Sequence, residues 1–313
     1  MSEKKDESKN VRYSGYWPGD EVRSVKFFRT LGYNHTLDFW RWSNRTRLIQ
    51  YAEKDQSIIA HYGVQPKLIR IGNSNTQGGL GIHFGAHPEY GNVPVLLETL
   101  NRIEKRCRKI GIKFLFGFPN NNSWPFLNRM VGWKKVSDIT ALTIPLGKLE
   151  KSSNKTDKFP EFKRWHSLKH SEFHNEGSVR VEKDVSQLEW RYKECPNEAY
   201  FIVEREREGF LILKTYMKEK EKHGHILEWG VNNNDKKTQK NLVIDAANVF
   251  RRKNVDIVST WMNKSHQAFR VLEELGFERS GFTTHFGYKP LSPDVPNLEK
   301  YNWLISMGDS DAF

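Results

Sequence analysis

Hydrophobic and polar positions along this chain change their period from one stretch to the next. Leu96, Leu100, Ile103, Cys107 and Ile110 recur at spacings of four and three, which puts them on one face of an amphipathic helix opening at Pro94. Proline suits that first position, since its missing N–H would have found no partner there. Upstream, Asp20 stands where it can cap a helix carrying Val22, Val25, Phe28 and Leu31. The β-rich runs 48–53 and 57–64 flank Lys54-Asp55-Gln56 and predict a hairpin, which 68–71 extends as a meander. Gly78 and Gly79 open a strand over 80–86. A buried strand over 112–118, a helix over 123–131 and a last strand over 133–144 follow.

The same order returns in the second half. Phe39-Trp40-Arg41-Trp42 is matched by Glu189-Trp190-Arg191-Tyr192, Asn120 by Asn263, and Gly132-Trp133 by Gly276-Phe277, at offsets of 150, 143 and 144 residues. A period of this size exceeds the roughly 20–50 residues of a solenoid repeat, so the unit is a whole domain. Strands are predicted over 200–204, 210–216, 225–231, 255–261 and 277–288, with helices around Leu242, Ala246, Val249 and Phe250 and over 265–275. Residues 303–307 predict an edge strand ahead of an acidic tail, 308–311. The expected division is a disordered tail over 1–12, a first domain over 13–147, a polar linker over 148–160 and a second domain over 161–313. The fold class expected is α+β with a mixed sheet in each half.

Composition narrows the classes. The chain is 37% hydrophobic and has no apolar run near the roughly 18 residues of a membrane span, so no membrane anchor is expected. Cys107 and Cys195 form neither a disulfide framework nor a metal knot, which points to the cytoplasm. A net charge of +12 raises the possibility of a polyanionic partner. The densest cluster, Arg102, Lys105, Arg106, Arg108 and Lys109, lies opposite the apolar stripe of its helix and reads as a solvated face. No specific nucleic-acid motif accompanies it. No zinc-ligand spacing, calcium loop or phosphate-binding G-x-x-x-x-G-K occurs, so a site without metal is expected.

Several of these segments together resemble the GNAT superfamily of N-acyltransferases, in its tandem-domain form. They are Trp17-Pro18-Gly19-Asp20, the Trp-Arg-aromatic segments, the hairpin, His87-Pro88-Glu89-Tyr90 ahead of a helix, and the strand-Asn-helix-Gly-aromatic ending. The resemblance covers residues 13–147 and, more weakly, 185–290. It implies two tandem GNAT-like domains, each a mixed, mostly antiparallel sheet flanked by helices. It also implies acetyl-CoA or another acyl-CoA lying between splayed strands at 80–86 and 112–118. Carried over by position, the donor would meet Phe84, Gly85 and Ala86, then Gly91, Asn92, Val93 and Val95 at a helix N-terminus, with Asn120, Asn121 and Ser123 reaching from the neighbouring strand end.

The family loop reads Gln or Arg, two residues, Gly, one residue, then Gly or Ala. Here Gly91 replaces the basic residue, Pro94 the middle glycine and Leu96 the last small residue. Pro94→Gly with Gly91→Arg is therefore expected to strengthen donor binding. The second-half segment 231–237 has no glycine loop, so that half is expected to shape an acceptor site or an interface.

Amine acylation needs positioning, a base and a donor to the departing thiolate, often Tyr in this family. The helix after Asn120 carries no Tyr. Glu89, His87 and His83 are the catalytic candidates, and Trp40, Arg41 and Trp42 the wall of an acceptor pocket. The expected activity is acyl-CoA-dependent N-acyl transfer to an amine of a small metabolite or sugar. Its alternatives are a degenerate GNAT pair acting as a binding or scaffold protein, and an aminoacyl-tRNA-dependent transferase.

Overall fold

The computed structural model describes residues 10–151, 178–196, 198–205, 208–232 and 234–311. Most of the expected tail, most of the expected linker and Asn233 lie outside the described residues. The chain forms two compact units. Unit 1 gathers Met1–Lys67, Gln77–Lys135 and Gly287–Leu298; unit 2 gathers Leu68–Thr76, Val136–Phe286 and Glu299–Phe313.

Unit 1 is built on a sheet whose strands run in chain order: β1 (Arg12–Gly15), β2 (Ile49–Lys54), β3 (Ser57–Ile71, to Lys67), β4 (Ser74–Ala86, from Gln77) and β5 (Phe114–Gly117). Arg12, assigned to the tail by its polarity, opens β1 and pairs with Glu53. The expected meander is longer than its sequence breaks suggest, because Pro66 and Lys67 lie within one continuous 15-residue strand. Alternate residues of β2 face opposite sides. Ile49 and Tyr51 pack with Val25, Phe27 and Phe28 of α1 (Asp20–Thr30) and with Trp40 of α2 (Leu37–Ser43), whereas Ala52 packs with Val95 of α3 (Val93–Lys109). Gly19, at φ 100°, caps α1 in place of Asp20, which is the first helical residue and accepts the Trp17 N–H at 2.7 Å. The helix expected over 123–131 is one short turn, α4 (Trp124–Phe126), running into a π turn at Leu127–Val131.

Unit 2 contains β6 (Lys134–Pro145, from Val136 on), β7 (Ser178–Val181), α5 (Val185–Leu188) continued by a π turn at Glu189–Lys193, β8 (Tyr200–Arg205), β9 (Gly209–Lys218) and β10 (Glu221–Val231). Then come α6 (Lys236–Arg252), β11 (Ile257–Met262), α7 (Gln267–Glu274), β12 (Glu278–Pro290, to Phe286) and β13 (Asn302–Leu304). Its strand order is β12-β6-β11-β10-β9-β8. The sequence β2-β3-β4-α3-β5-α4-β6 is thus repeated as β8-β9-β10-α6-β11-α7-β12, and α3 and α6 each have 17 residues.

The units do not divide where the polar linker was expected. β6 pairs antiparallel with β11, from Thr140↔Met262 to Pro145↔Ile257, and so belongs to unit 2. The end of β12 pairs antiparallel with β5, from Gly287↔Gly117 to Pro290↔Phe114, and so belongs to unit 1. Each unit takes a strand from the other half of the chain. Period-two patterning marks a strand but is silent on its partner.

β10 and β11 pair in parallel over three residues, His223↔Ile257 to His225↔Ser259, and then part. Beyond that point the chain's own late segment stands beside β11. Ser306 bridges Met262, Asn263 Oδ1 accepts the Ile305 N–H at 3.1 Å, and Asn263 Nδ2 donates to the Trp303 carbonyl. Ser306 and Asp309 then form a buried capping box. The stretch expected as an acidic tail is therefore buried over Gly308, Asp309 and Ser310. Lys183 Nζ lies 2.6 Å from Glu228 Oε1 and 2.7 Å from Asp309 Oδ1, and Tyr192 Oη donates to Glu228 at 2.5 Å. Burial raises the Asp309 pKa against the pull of Lys183. That ammonium makes burial of the carboxylates affordable, and no pattern local to 308–311 shows it.

Two outcomes follow from this packing. A Cβ on Gly308 would overlap Glu228 Oε1 and Tyr192 Oη, whereas one on Gly281 meets nothing within 4 Å. Gly308→Ala should cost about 1–3 kcal/mol in urea unfolding, and Gly281→Ala within about 0.5 kcal/mol of zero. His266, which caps α7 with its Nδ1, is buried, and burial lowers its pKa to about 4 despite the opposing field of Asp309. The unfolded imidazole protonates near its ordinary value of 6.5, before the folded one. Its contribution is therefore complete above that value and falls by about 3 kcal/mol as pH drops to about 4. Urea midpoints at stepped pH should fall less steeply for His266→Asn, which keeps an acceptor for the cap but no titrating ring.

Candidate functional site

In unit 1 as in unit 2, the parallel pair at the centre is short. β4 and β5 match at Gly78↔Phe114, Gly79↔Leu115 and Leu80↔Phe116, and β4 then runs on for six residues to Ala86. His83 lies in that run with φ 51°, left-handed backbone for a residue with a Cβ. Such a conformation costs of order 1–3 kcal/mol, and one left-handed residue within a strand bends it. The rings of Phe84 and Phe126 stack at 6.1 Å, which joins the end of β4 to α4 beyond β5. Gly85 faces α1, where a Cβ would lie 2.7 Å from Leu31 Cδ1.

The turn after β4 uses many of its own donors. Gly91 N–H is bonded to the His87 carbonyl at 2.8 Å, and Val95 N–H to the Asn92 side chain at 3.1 Å, so Asn92 is the helix cap. Pro94 has no N–H. Of residues 91–95, the amides of Asn92 and Val93 are left for an anion, together with the positive end of the helix dipole. Val93 is exposed, while Val95 is buried in the core. A Cβ on Gly91 would stand 2.5 Å from Ala86 Cβ and 2.8 Å from the His87 carbonyl. This corrects the expectation that Gly91→Arg would strengthen donor binding, because backbone occupies the space. A cation reaches this turn from elsewhere: Lys54, the last residue of β2, places Nζ 4.8 Å from the Tyr90 ring centre.

The three catalytic candidates have different surroundings. His87 stacks on Tyr90 at 4.9 Å and accepts the Glu89 N–H at its Nδ1, and Glu89 is exposed. The His83 ring instead meets Phe28 at 5.4 Å, His35 at 5.2 Å, His61 at 6.2 Å and Phe39 at 6.5 Å. Burial, then the neighbouring imidazoles, hold its pKa well below the usual histidine value, so the ring is neutral. Asn44 Nδ2 lies 3.1 Å from its Nδ1 and 3.0 Å from the Trp40 carbonyl, which identifies that atom as the amide nitrogen. A proton on Nδ1 would point at an NH2 group. The proton is thus on Nε2, which suits His83 to donate a hydrogen bond rather than to act as a base.

Trp40, Arg41 and Trp42 do not form one wall. They lie in a helix, where successive side chains point about 100° apart. Trp40 is buried and stacked on Tyr16 at 5.7 Å, and Arg41 pairs with Glu21 at 3.1 Å. Trp42 shares a face with Phe39, three residues earlier, at 5.5 Å, and through Phe39 it joins the rings around His83. Helical spacing could have found Phe39; nothing in the sequence ties His35, His61, Asn44 or Lys54 to this place. Asn120 accepts the Asn122 and Ser123 amides at 3.0 Å each, so it caps the turn into α4, with Ser123 Oγ bonded to it and Asn121 exposed. Among the described residues, no group of three or more His, Cys, Asp or Glu side chains is arranged to hold a metal ion. Nor is any helix there long and apolar enough to cross a membrane.

No family model matches the sequence, and no curated protein matches it either. Solved structures do match the fold. A GCN5-related N-acetyltransferase from Anabaena variabilis superposes with a TM-score of 0.65 at 11% identity, over 90% of this chain and 73% of that one. A probable N-acyltransferase from Enterococcus faecalis gives 0.66 at 10%, over 90% and 73%. Saccharomyces cerevisiae N-myristoyltransferase, with bound myristoyl-CoA, gives 0.62 at 12%, over 93% and 87%. With its mixed sheets, its repeated order of elements and these neighbours, the chain has the fold of the GNAT superfamily.

Proposed function

We propose that the chain is an acyl-CoA-dependent N-acyltransferase acting on an amine of a small metabolite or sugar, with acetyl-CoA or another acyl-CoA as co-substrate. One observation carries this reading: in unit 1, β4 runs on for six residues past its last pair with the short β5, through the bend at His83 and on to a helix N-terminus with two amides to offer. A thioester lying along β4 would bring its diphosphate to Asn92 and Val93 and its carbonyl to His83. The acceptor nitrogen attacks that carbonyl, the thiolate departs and one proton leaves the amine. Nε2–H of His83 meets the charge growing on the thioester oxygen, as a neutral donor can. Water passes the proton on to His87 or Glu89 at the exposed turn. Lys54 replaces the missing basic residue as the cation near the diphosphate.

The same loop also supports a second reading. Because Gly91 and Val95 amides are spent and Pro94 has none, a degenerate GNAT pair that binds no donor and serves as a scaffold fits the loop chemistry. An aminoacyl-tRNA donor has only the net charge in its favour.

Titration calorimetry with acetyl-CoA and a long-chain acyl-CoA separates these readings. Wild type should bind one of them. Val93→Pro removes a single amide at a position where proline is well tolerated, and should weaken binding on the order of tenfold or more, as loss of a charge-assisted hydrogen bond does. Lys54→Gln should weaken it more at low salt than at moderate salt. Wild type that binds neither compound would select the scaffold reading.

A further inference from the structure

We propose that His61 is a positioning residue of this cleft: its Nδ1–H holds the His83 carbonyl and with it the left-handed bend beyond which β4 runs free of β5. The inference rests on the acyl-transfer reading of the same site.

His61 is on β3, fully buried, with its ring 4.8 Å from Phe28, 5.4 Å from Tyr51 and 6.5 Å from Phe27. In such company a phenylalanine would fill the space. What the imidazole adds is one hydrogen bond, 2.8 Å from Nδ1 to the backbone oxygen of His83. A carbonyl only accepts, so the proton is on Nδ1. Burial lowers the His61 pKa, and the ring is neutral. Its Nε2 is then a bare acceptor in the core, and it has no hydrogen-bond partner. A buried acceptor left unmatched is a cost that Phe would not carry. The donation to His83 is the interaction set against it.

That donation falls at the one left-handed residue of β4, three positions past the last parallel pair with β5. Residue 83 is consequently held twice, its carbonyl by β3 through His61 and its ring by the segment after α2 through Asn44. The first contact sets where the backbone turns; the second sets which ring nitrogen carries the proton. His61, without solvent exposure, acts on substrate only through His83.

Three substitutions test this. In His61→Asn the amide nitrogen stands as many bonds from Cβ as Nδ1 does, in His61→Gln it stands one atom further out, and His61→Phe keeps the ring with no donor. The readouts are acyl-CoA affinity, kcat and KM for acyl transfer, His83 amide exchange by NMR, and the urea midpoint of each variant. His61→Phe and His61→Gln should lose about tenfold or more in acyl-CoA affinity or in kcat/KM, while His61→Asn stays within about threefold of wild type. Exchange at His83 should speed up in the Phe and Gln variants alone. The inference is overturned if all three variants behave as wild type, or if losses follow the urea midpoint regardless of where the donor sits. Should wild type bind no acyl-CoA, the functional reading fails, and the pattern of His83 exchange across the variants still decides the role of His61.

Discussion

A parallel pair only three residues long leaves the amides and carbonyls beyond it to find other partners, and this constraint acts in both units. Such groups must find partners or water. In unit 2 the chain itself answers: Ile305 and Ser306 lie along the freed edge of β11, and Asn263 completes the pairing with its side chain. The segment is anchored by Lys183, Glu228, Asp309 and Tyr192, a charged knot with almost no contact with solvent. A strand gap closed in this way is a structural joint. In unit 1 it is β4, the counterpart of β10, that is bent, at His83, and a helix N-terminus follows it. Equal topology therefore carries unequal chemistry, and the asymmetry agrees with a glycine-poor loop in the second half.

The sequence was most legible where local physics decides. Leu96, Leu100, Ile103 and Cys107 mark α3 because only a helix puts them on one stripe, and the hairpin around Lys54-Asp55-Gln56 follows from alternation and a polar turn. It was least legible where distant residues decide. β6 and β12 read correctly as strands, yet their partners lie more than a hundred residues away. The burial of Asp309 depends on Lys183, and β7 is a four-residue strand too short to announce itself. The Trp-Arg-Trp segment misled for a simpler reason. Read as a linear motif it offers three neighbours, whereas as α2 it sends Trp40 to the core, Arg41 to Glu21 and only Trp42 towards His83.

Charge shows the same difference between composition and arrangement. The basic face of α3 reads as solvated, but several of its cations are committed. Arg106 donates to the Ile49 carbonyl, Arg108 reaches the Leu291 carbonyl at 3.0 Å, and Glu104 binds both Arg108 and Lys289. These contacts tie α3 to β2 and to the exchanged end of β12 within unit 1. An arginine whose donors are spent on backbone oxygens contributes less to a polyanion site than its formal charge suggests.

A family loop is defined by consecutive residues, but a diphosphate responds to field and to free amides, wherever in the chain they originate. At position 91 the crowding by Ala86 and His87 leaves no ready space for a basic side chain. Lys54 brings a charge from the end of β2, held over Tyr90, which itself stacks on His87. Pro94 withholds an amide but fixes the first turn of α3, and Asn92 fastens that turn by accepting from Val95. The result is a more rigid and less generous helix start than a glycine loop would make. On the acyl-CoA reading proposed above, rigidity of this kind would lower the ordering cost of binding while limiting the number of contacts, trading hydrogen bonds for preorganisation.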